Sequence, residues 1–123
     1  ISSFKVENKL NYDSLIKSCD IGLSSVMCKK KILKNLGFAN LKTKEDYHLW
    51  LNLINKVKVF YGIKKELMSW RKLEISLSSS NYQKIVDAFR LYSIHTKKFL
   101  FIPLFYTLRL SFYALIKKIK IYR

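Results

Sequence analysis

The sequence predicts an α/β fold, and three observations carry that expectation. Helical patterns alternate with short apolar runs rich in β-branched and aromatic residues. Only three Gly and one Pro punctuate the 123 residues, so long connected elements are expected rather than many short strands. Apolar residues make up 50% of the chain, enough to build a core, which excludes a wholly disordered protein. The length fits one domain and not comfortably two.

The elements follow in order. Asp13 starts a short helix through Lys17. Residues 21–28 (IGLSSVMC) alternate imperfectly, have no helix former at their centre and read as a strand. Residues 29–36 (KKKILKNL) put Ile32, Leu33 and Leu36 on one helical face, with Gly37 as the stop. Residues 38–42 are then a loop. Thr43 stands three residues before Asp46, a start like a capping box with Glu45 and Asp46 in the first turn. Tyr47, Trp50, Leu51 and Ile54 follow at the i, i+3, i+4, i+7 spacing of a helix. Residues 57–63 (VKVFYGI) read as a strand and residues 67–71 (LMSWR) as a second, shorter one. Ser76, Ser78, Ser79 and Ser80 belong to a polar loop able to cap the next helix, which spans residues 81–98 with Ile85, Phe89 and Tyr92 marking its apolar face. Residues 99–116 are nearly all apolar, broken by Pro103, Thr107, Arg109 and Ser111 and closed by Lys117, Lys118, Lys120 and Arg123. As a helix, that stretch spans ~27 Å, just short of a bilayer core.

Charge narrows the partners. Lys and Arg number 24 against 8 acids, a formal +16, which favours phosphates, nucleic acid or an anionic membrane surface. Part of the excess follows from joint enrichment in Lys, Ile, Asn, Tyr and Phe, as an AT-rich coding sequence produces. The chain opens on Ile1 with no initiator Met and no secretory pattern, and so reads as a piece of something longer. Cys19 and Cys28 lack metal-ligand spacing and are expected as reduced, packed thiols of a cytosolic protein.

Few residues carry chemistry. Glu45-Asp46 is the one adjacent pair of acids, and six lysines with no carboxylate precede it between residues 21 and 44. A carboxylate among positive groups suits the removal of a proton from an attacking hydroxyl. Acids in a first helical turn also serve free backbone N–H groups and the helix dipole with no catalytic duty, and both readings stand. Arg71, with Ser76 and Ser78 after it, suits a diphosphate, since the guanidinium fork matches phosphate oxygens; a surface Arg beside a capping loop is the plainer reading. His48 and His95 have no metal spacing, and no Gly-rich phosphate loop, nucleophile elbow or C-x-x-C occurs. A metal site made by this chain alone is not expected.

Taken in order, these pieces resemble the C-terminal half of a family 2 glycosyltransferase with the GT-A fold. Residues 21–27 look like that family's strand at the acceptor side, and residues 30–38 like the helix and Gly-Phe loop after it. Glu45-Asp46-Tyr47-His48-Leu49-Trp50 matches its Glu-Asp motif, residues 59–62 and 67–71 look like its last strands, and Arg71 with Ser76-Leu77-Ser78 fits its closing Arg and Ser-x-Ser segment. The resemblance covers roughly residues 11–92.

It implies that residues 1–98 are the acceptor-side half of a Rossmann-like GT-A domain and residues 99–123 an apolar, basic helical tail. It implies inverting transfer from a nucleotide-sugar donor to a hydroxyl of a glycan or lipid-linked acceptor, in cell-surface glycan synthesis. Asp46 is then the general base and Glu45 its helper. Arg71, Ser76 and Ser78 face the donor diphosphate, Ser24, Ser25 and His48 lie on the acceptor side, and Trp50 packs rather than binds. A divalent cation (Mg or Mn) is expected for the full-length enzyme, with its ligands mainly outside this segment. No D-x-D occurs here, and Leu73 stands where some members carry a His after the closing Arg. The segment alone is therefore expected to be inactive.

The basic tail suggests interfacial docking at the cytoplasmic face of the cell membrane, with packing against the other half of the longer protein as the alternative. The main rival is a basic nucleic-acid-binding module, which the charge permits and no recognised motif supports; no nucleic acid is expected as partner.

Overall fold

The computed structural model describes residues 7–65, 67–68, 80–98 and 100–121, with side chains of the final helix as far as residue 117. Among the described residues there are four helices, one pair of two-residue strands and two 3₁₀ turns. Strand β1 (Lys9–Leu10) pairs antiparallel with β2 (Phe60–Tyr61), Lys9 opposite Tyr61 and Leu10 opposite Phe60. Helix α1 is Tyr12–Leu15, α2 is Glu45–Val57, α3 is Asn81–Thr96 and α4 is Phe101–Ile121.

Helix α1 is a single turn, capped at its start. The Asn11 side chain accepts the Ser14 N–H at 2.9 Å while Ser14 Oγ takes the Asn11 N–H at 3.1 Å, a reciprocal capping box. The cap is thus Asn11 and not Asp13, and the helix stops at Leu15, two residues before the expected Lys17.

Residues 21–28 are not a strand. The Ser25 N–H and hydroxyl both reach the Gly22 carbonyl, at 3.0 and 2.7 Å, closing a 3₁₀ turn over Leu23–Ser25. Such local side-chain bonding competes with a ladder, and no neighbouring strand among the described residues offers one. Residues 29–36 form only a 3₁₀ turn, Lys30–Leu33, in place of the expected helix. Its exit uses a left-handed Asn35 (φ 64°), and Gly37 does not take the expected positive φ.

Helix α2 starts without the predicted cap. Its first flanking residue is Lys44, left-handed at φ 66°, with no side-chain cap bond. Thr43 instead sends both its N–H and its hydroxyl to Asp87 Oδ2 on α3, at 2.8 and 2.9 Å. The Asp46 carboxylate supplies part of what the cap lacks, accepting the Tyr47 N–H at 2.7 Å. Tyr47, Leu49, Trp50, Leu51, Leu53 and Ile54 are buried, so Trp50 packs as expected. The helix runs on through Val57 and ends at a left-handed Lys58, leaving only Phe60–Tyr61 of the expected 57–63 strand. Leu67 and Met68 are not in a strand, and the rest of the 67–71 prediction lies outside the described residues.

Helix α3 is capped by Ser80, whose Oγ accepts the Gln83 N–H at 3.2 Å, and ends at a left-handed Lys97. Its buried positions are Asp87, Ala88, Leu91 and Tyr92; Ile85 is half exposed, because the face turned to α2 and α4 lies one position off the predicted stripe. Helix α4 packs along α3. Pro103 is buried in its first turn, where a missing N–H costs nothing. Among the described residues no helix is long and apolar enough to cross a membrane. Cys19 and Cys28 are free thiols; Cys28 is exposed rather than packed, lying in the irregular segment beyond the first 3₁₀ turn.

The helices meet at the end of α1. Tyr47 Oη donates to the Leu15 carbonyl at 2.7 Å and Tyr92 Oη to the Ile16 carbonyl at 3.1 Å, the two hydroxyls lying 3.1 Å apart. Arg109 Nη2 reaches the same Ile16 carbonyl at 3.0 Å, with its guanidinium 4.6 Å from the centre of the Tyr106 ring. Lys117 pairs with Asp20.

Asp87 offers a direct test. Burial works to raise its carboxyl, but the Gln83 side chain, the two donors of Thr43 and the Arg90 charge outweigh it and hold the group below the usual carboxylate value. Asp87→Ala leaves both Thr43 donors buried without an acceptor and is expected to cost about 2–3 kcal/mol in urea unfolding. The sign of the pH effect follows from the depressed folded value. The contribution of Asp87 is complete above the unfolded value, about 3.9, and is lost as pH falls through the folded one. Asp87→Asn should therefore flatten that acid limb.

Candidate active site

A cleft of about 220 Å³ opens where the irregular segment after α1 passes the start of α2. Cys19 and Ile21 line one wall, Thr43, Lys44, Asp46 and Tyr47 another, and Lys84 reaches it from α3. Lys44, left-handed at φ 66°, stands directly before this helix start, and Asp46 and Tyr47 of the first turn line the cleft. Asp46 holds the Tyr47 N–H with Oδ1, and its other oxygen has no hydrogen-bond partner among the described residues. One carboxylate oxygen thus holds the Asp46 side chain at the edge of the cleft.

The surroundings are cationic and partly dry. Burial holds Lys44 below the ordinary lysine value, and the Lys84 charge pushes the same way. The Cys19 thiol is pushed up to about 12, chiefly by burial, and is neutral at physiological pH. Cys19 thus forms a neutral wall of the cleft.

The sequence-predicted site residues divide. Asp46 lines the cleft, while Glu45 shares its helical turn without lining it. His48, two residues on, is turned about 200° around the helix. It meets the His95 ring edge-on at 6.4 Å and contacts Asn52 at 3.3 Å, outside the Asp46 cleft. Ser24 and Ser25 sit on the exposed 3₁₀ turn, Ser24 Oγ 2.8 Å from Met68 Sδ, and the structure does not bring them to Asp46. Arg71, Ser76 and Ser78 lie outside the described residues. Lys44 and Lys84 do not stand out as site residues from sequence, and Cys19 reads there only as a packed thiol. Lys44 had one legible signal, its place directly before the acidic pair; Lys84 had none, because only the packing of α3 on α2 brings it near. Among the described residues no three His, Cys, Asp or Glu side chains converge as a metal cage, so a divalent cation has no fitting donor set in them.

Known proteins share this stretch of sequence. The chain is 29% identical to the UDP-Glc:α-D-GlcNAc-diphosphoundecaprenol β-1,3-glucosyltransferase WfaP of Escherichia coli, over 68% of this chain and 36% of that protein. It is 30% identical to the putative teichuronic acid biosynthesis glycosyltransferase TuaG of Bacillus subtilis, over 60% and 29%. A third relative, WfgD of Escherichia coli, bears the same glucosyltransferase name as WfaP and is 33% identical over 44% and 21%. The resemblance is to part of a glycosyltransferase. The chain spans about a third or less of the length of these curated relatives. No family model and no solved structure matches it.

The histidine pair behind the cleft yields a test of its own. His95 Nε2 lies 2.9 Å from Tyr12 Oη, and burial lowers both histidines, with the His48 charge adding to the effect on His95. Both should titrate below the ordinary value of about 6.5 in a proton NMR pH titration. As pH falls below about 6.5 the unfolded chain takes up protons first, so stability declines from there through the folded values. Replacing His95 with Gln should remove much of that decline.

Proposed function

We propose that this chain forms the acceptor side of an inverting family 2 glycosyltransferase of GT-A fold, with Asp46 as general base. The observation that carries the reading is the Asp46 carboxylate, held through Oδ1 on a rigid first turn in an open cleft beside Lys44 and Lys84. The named glycosyltransferase relatives support it.

In the proposed reaction an acceptor hydroxyl attacks the anomeric carbon of a nucleotide-sugar. The new C–O bond forms as the bond to the nucleotide diphosphate breaks, and the hydroxyl proton passes to Asp46. With an α-linked nucleotide donor, a β-linked product is inversion. WfaP and WfgD are named for UDP-glucose and for a lipid diphosphate acceptor, and we assign donor and acceptor of that kind to the full-length protein. Glu45 steadies the turn, and Arg71 with Ser76 and Ser78 is assigned to the leaving diphosphate, where a guanidinium offsets growing charge. A divalent cation, if the full-length enzyme uses one, would be held by residues elsewhere, and no step here is assigned to it.

Asp46→Asn in the full-length protein is the decisive variant. Asn keeps an oxygen for the Tyr47 N–H, so the helix start survives while the base is lost. Sugar transfer should fall by about 10²–10⁴ in kcat with little change in KM and in the unfolding midpoint. Glu45→Gln should cost less. Unchanged turnover of Asp46→Asn would remove the base assignment.

A further inference from the structure

Helix α4 is apolar on two opposite sides. Pro103, Thr107 and Leu110 are buried on the side packed against α3, with Tyr106 against the Tyr92 ring. The opposite side carries Phe101, Leu104, Phe105, Leu108, Phe112 and Leu115, which are between 46% and 80% exposed. These six recur at helical intervals and form a stripe about 21 Å long. A helix that is apolar all round ordinarily has a second surface to cover it, and here the second surface faces outward.

The charges around the stripe say what covers it. From residue 88 to the end the chain has eight Lys or Arg and no Asp or Glu. Arg109 and Lys117 are used internally, on the Ile16 carbonyl and Asp20. Lys97 and Lys98 are exposed at one end of the stripe, and Lys118 and Lys120 fall in the last turns of α4 at the other. A second copy of the chain would set one +16 body against another across a rim of like charge. A planar array of phosphates has the matching sign at both ends of the stripe.

We propose that the Phe101–Leu115 stripe docks in the surface of an anionic lipid bilayer, with α4 lying parallel to the membrane plane. The apolar side chains enter the boundary between headgroups and acyl chains, and the exposed Lys97 and Lys98 meet lipid phosphates. Apolar burial and charge act together, since either alone holds a protein weakly. The inference is independent of sugar transfer, because its readout is binding.

The experiment is co-sedimentation of the full-length protein with phosphatidylcholine vesicles, with and without phosphatidylglycerol. Binding should require the anionic lipid, weaken with salt, and fall about tenfold or more in a Leu108→Ser, Phe112→Ser double variant. A conservative variant, Leu108→Trp, gives a second readout: the indole emission at that position should shift to the blue and be quenched by brominated lipid when anionic vesicles are added. Three results would overturn the proposal. One is a full-length protein that ignores anionic vesicles. Another is a double variant that binds as well as its parent, and the third is an emission from the Leu108→Trp variant that vesicles do not change. That last result is also what coverage by another part of the chain or by a second copy would produce.

Discussion

The carbonyls of Leu15 and Ile16, at the end of α1, belong to buried residues and lie where their own helix has no donor left to give. Each of the other three helices answers with one side chain: Tyr47 from α2, Tyr92 from α3 and Arg109 from α4. An unmet buried carbonyl costs about 1–3 kcal/mol, so the arrangement is obligatory once the surrounding leucines are packed. Burial pushes the Tyr92 hydroxyl up to about 12 and Tyr47 higher still. Both therefore keep their protons, and the donors do not switch off over the physiological range. Two hydroxyl protons serve two carbonyls, and the contact between the tyrosine oxygens follows from where those carbonyls lie.

The cleft inherits its shape from this node. Tyr47 belongs both to the node and to the cleft wall, and Asp46 holds the Tyr47 backbone N–H. Anchoring the Tyr47 hydroxyl therefore fixes the turn that carries the carboxylate. The Thr43–Asp87 pair fixes the same turn from the α3 side, and it brings Lys84, one helical turn before Asp87, to the rim. The acidic pair sits at a helix start for the ordinary dipole reason, and a pocket has been built against it.

How far the sequence could be read depends on the range of the interaction concerned. The i, i+3, i+4, i+7 spacing of Tyr47, Trp50, Leu51 and Ile54 located α2, and the apolar run after residue 99 located α4, because both signals are local and strong. The proposed strand at 21–28 failed because alternation is an empty signal without a partner strand, and Ser25 closed a turn on Gly22 instead. Thr43 had the right spacing for a cap, yet a buried carboxylate 44 residues away took both its donors. Asp46 was legible as the lone acid pair in a basic stretch. Lys84 and the His48–His95 contact were not, since packing between helices alone creates them.

The spread of the node along the chain has a consequence for how the protein is made. The Ile16 carbonyl takes its donors from residues 76 and 93 positions downstream. At roughly 5–20 residues per second, the ribosome needs on the order of 5–20 s after Ile16 to deliver Arg109. For that interval the turn after α1 has its final sequence and lacks its final partners, and four residues of helix are too few to persist without them. The turn after α1 therefore waits for its last partner until α4 has been made.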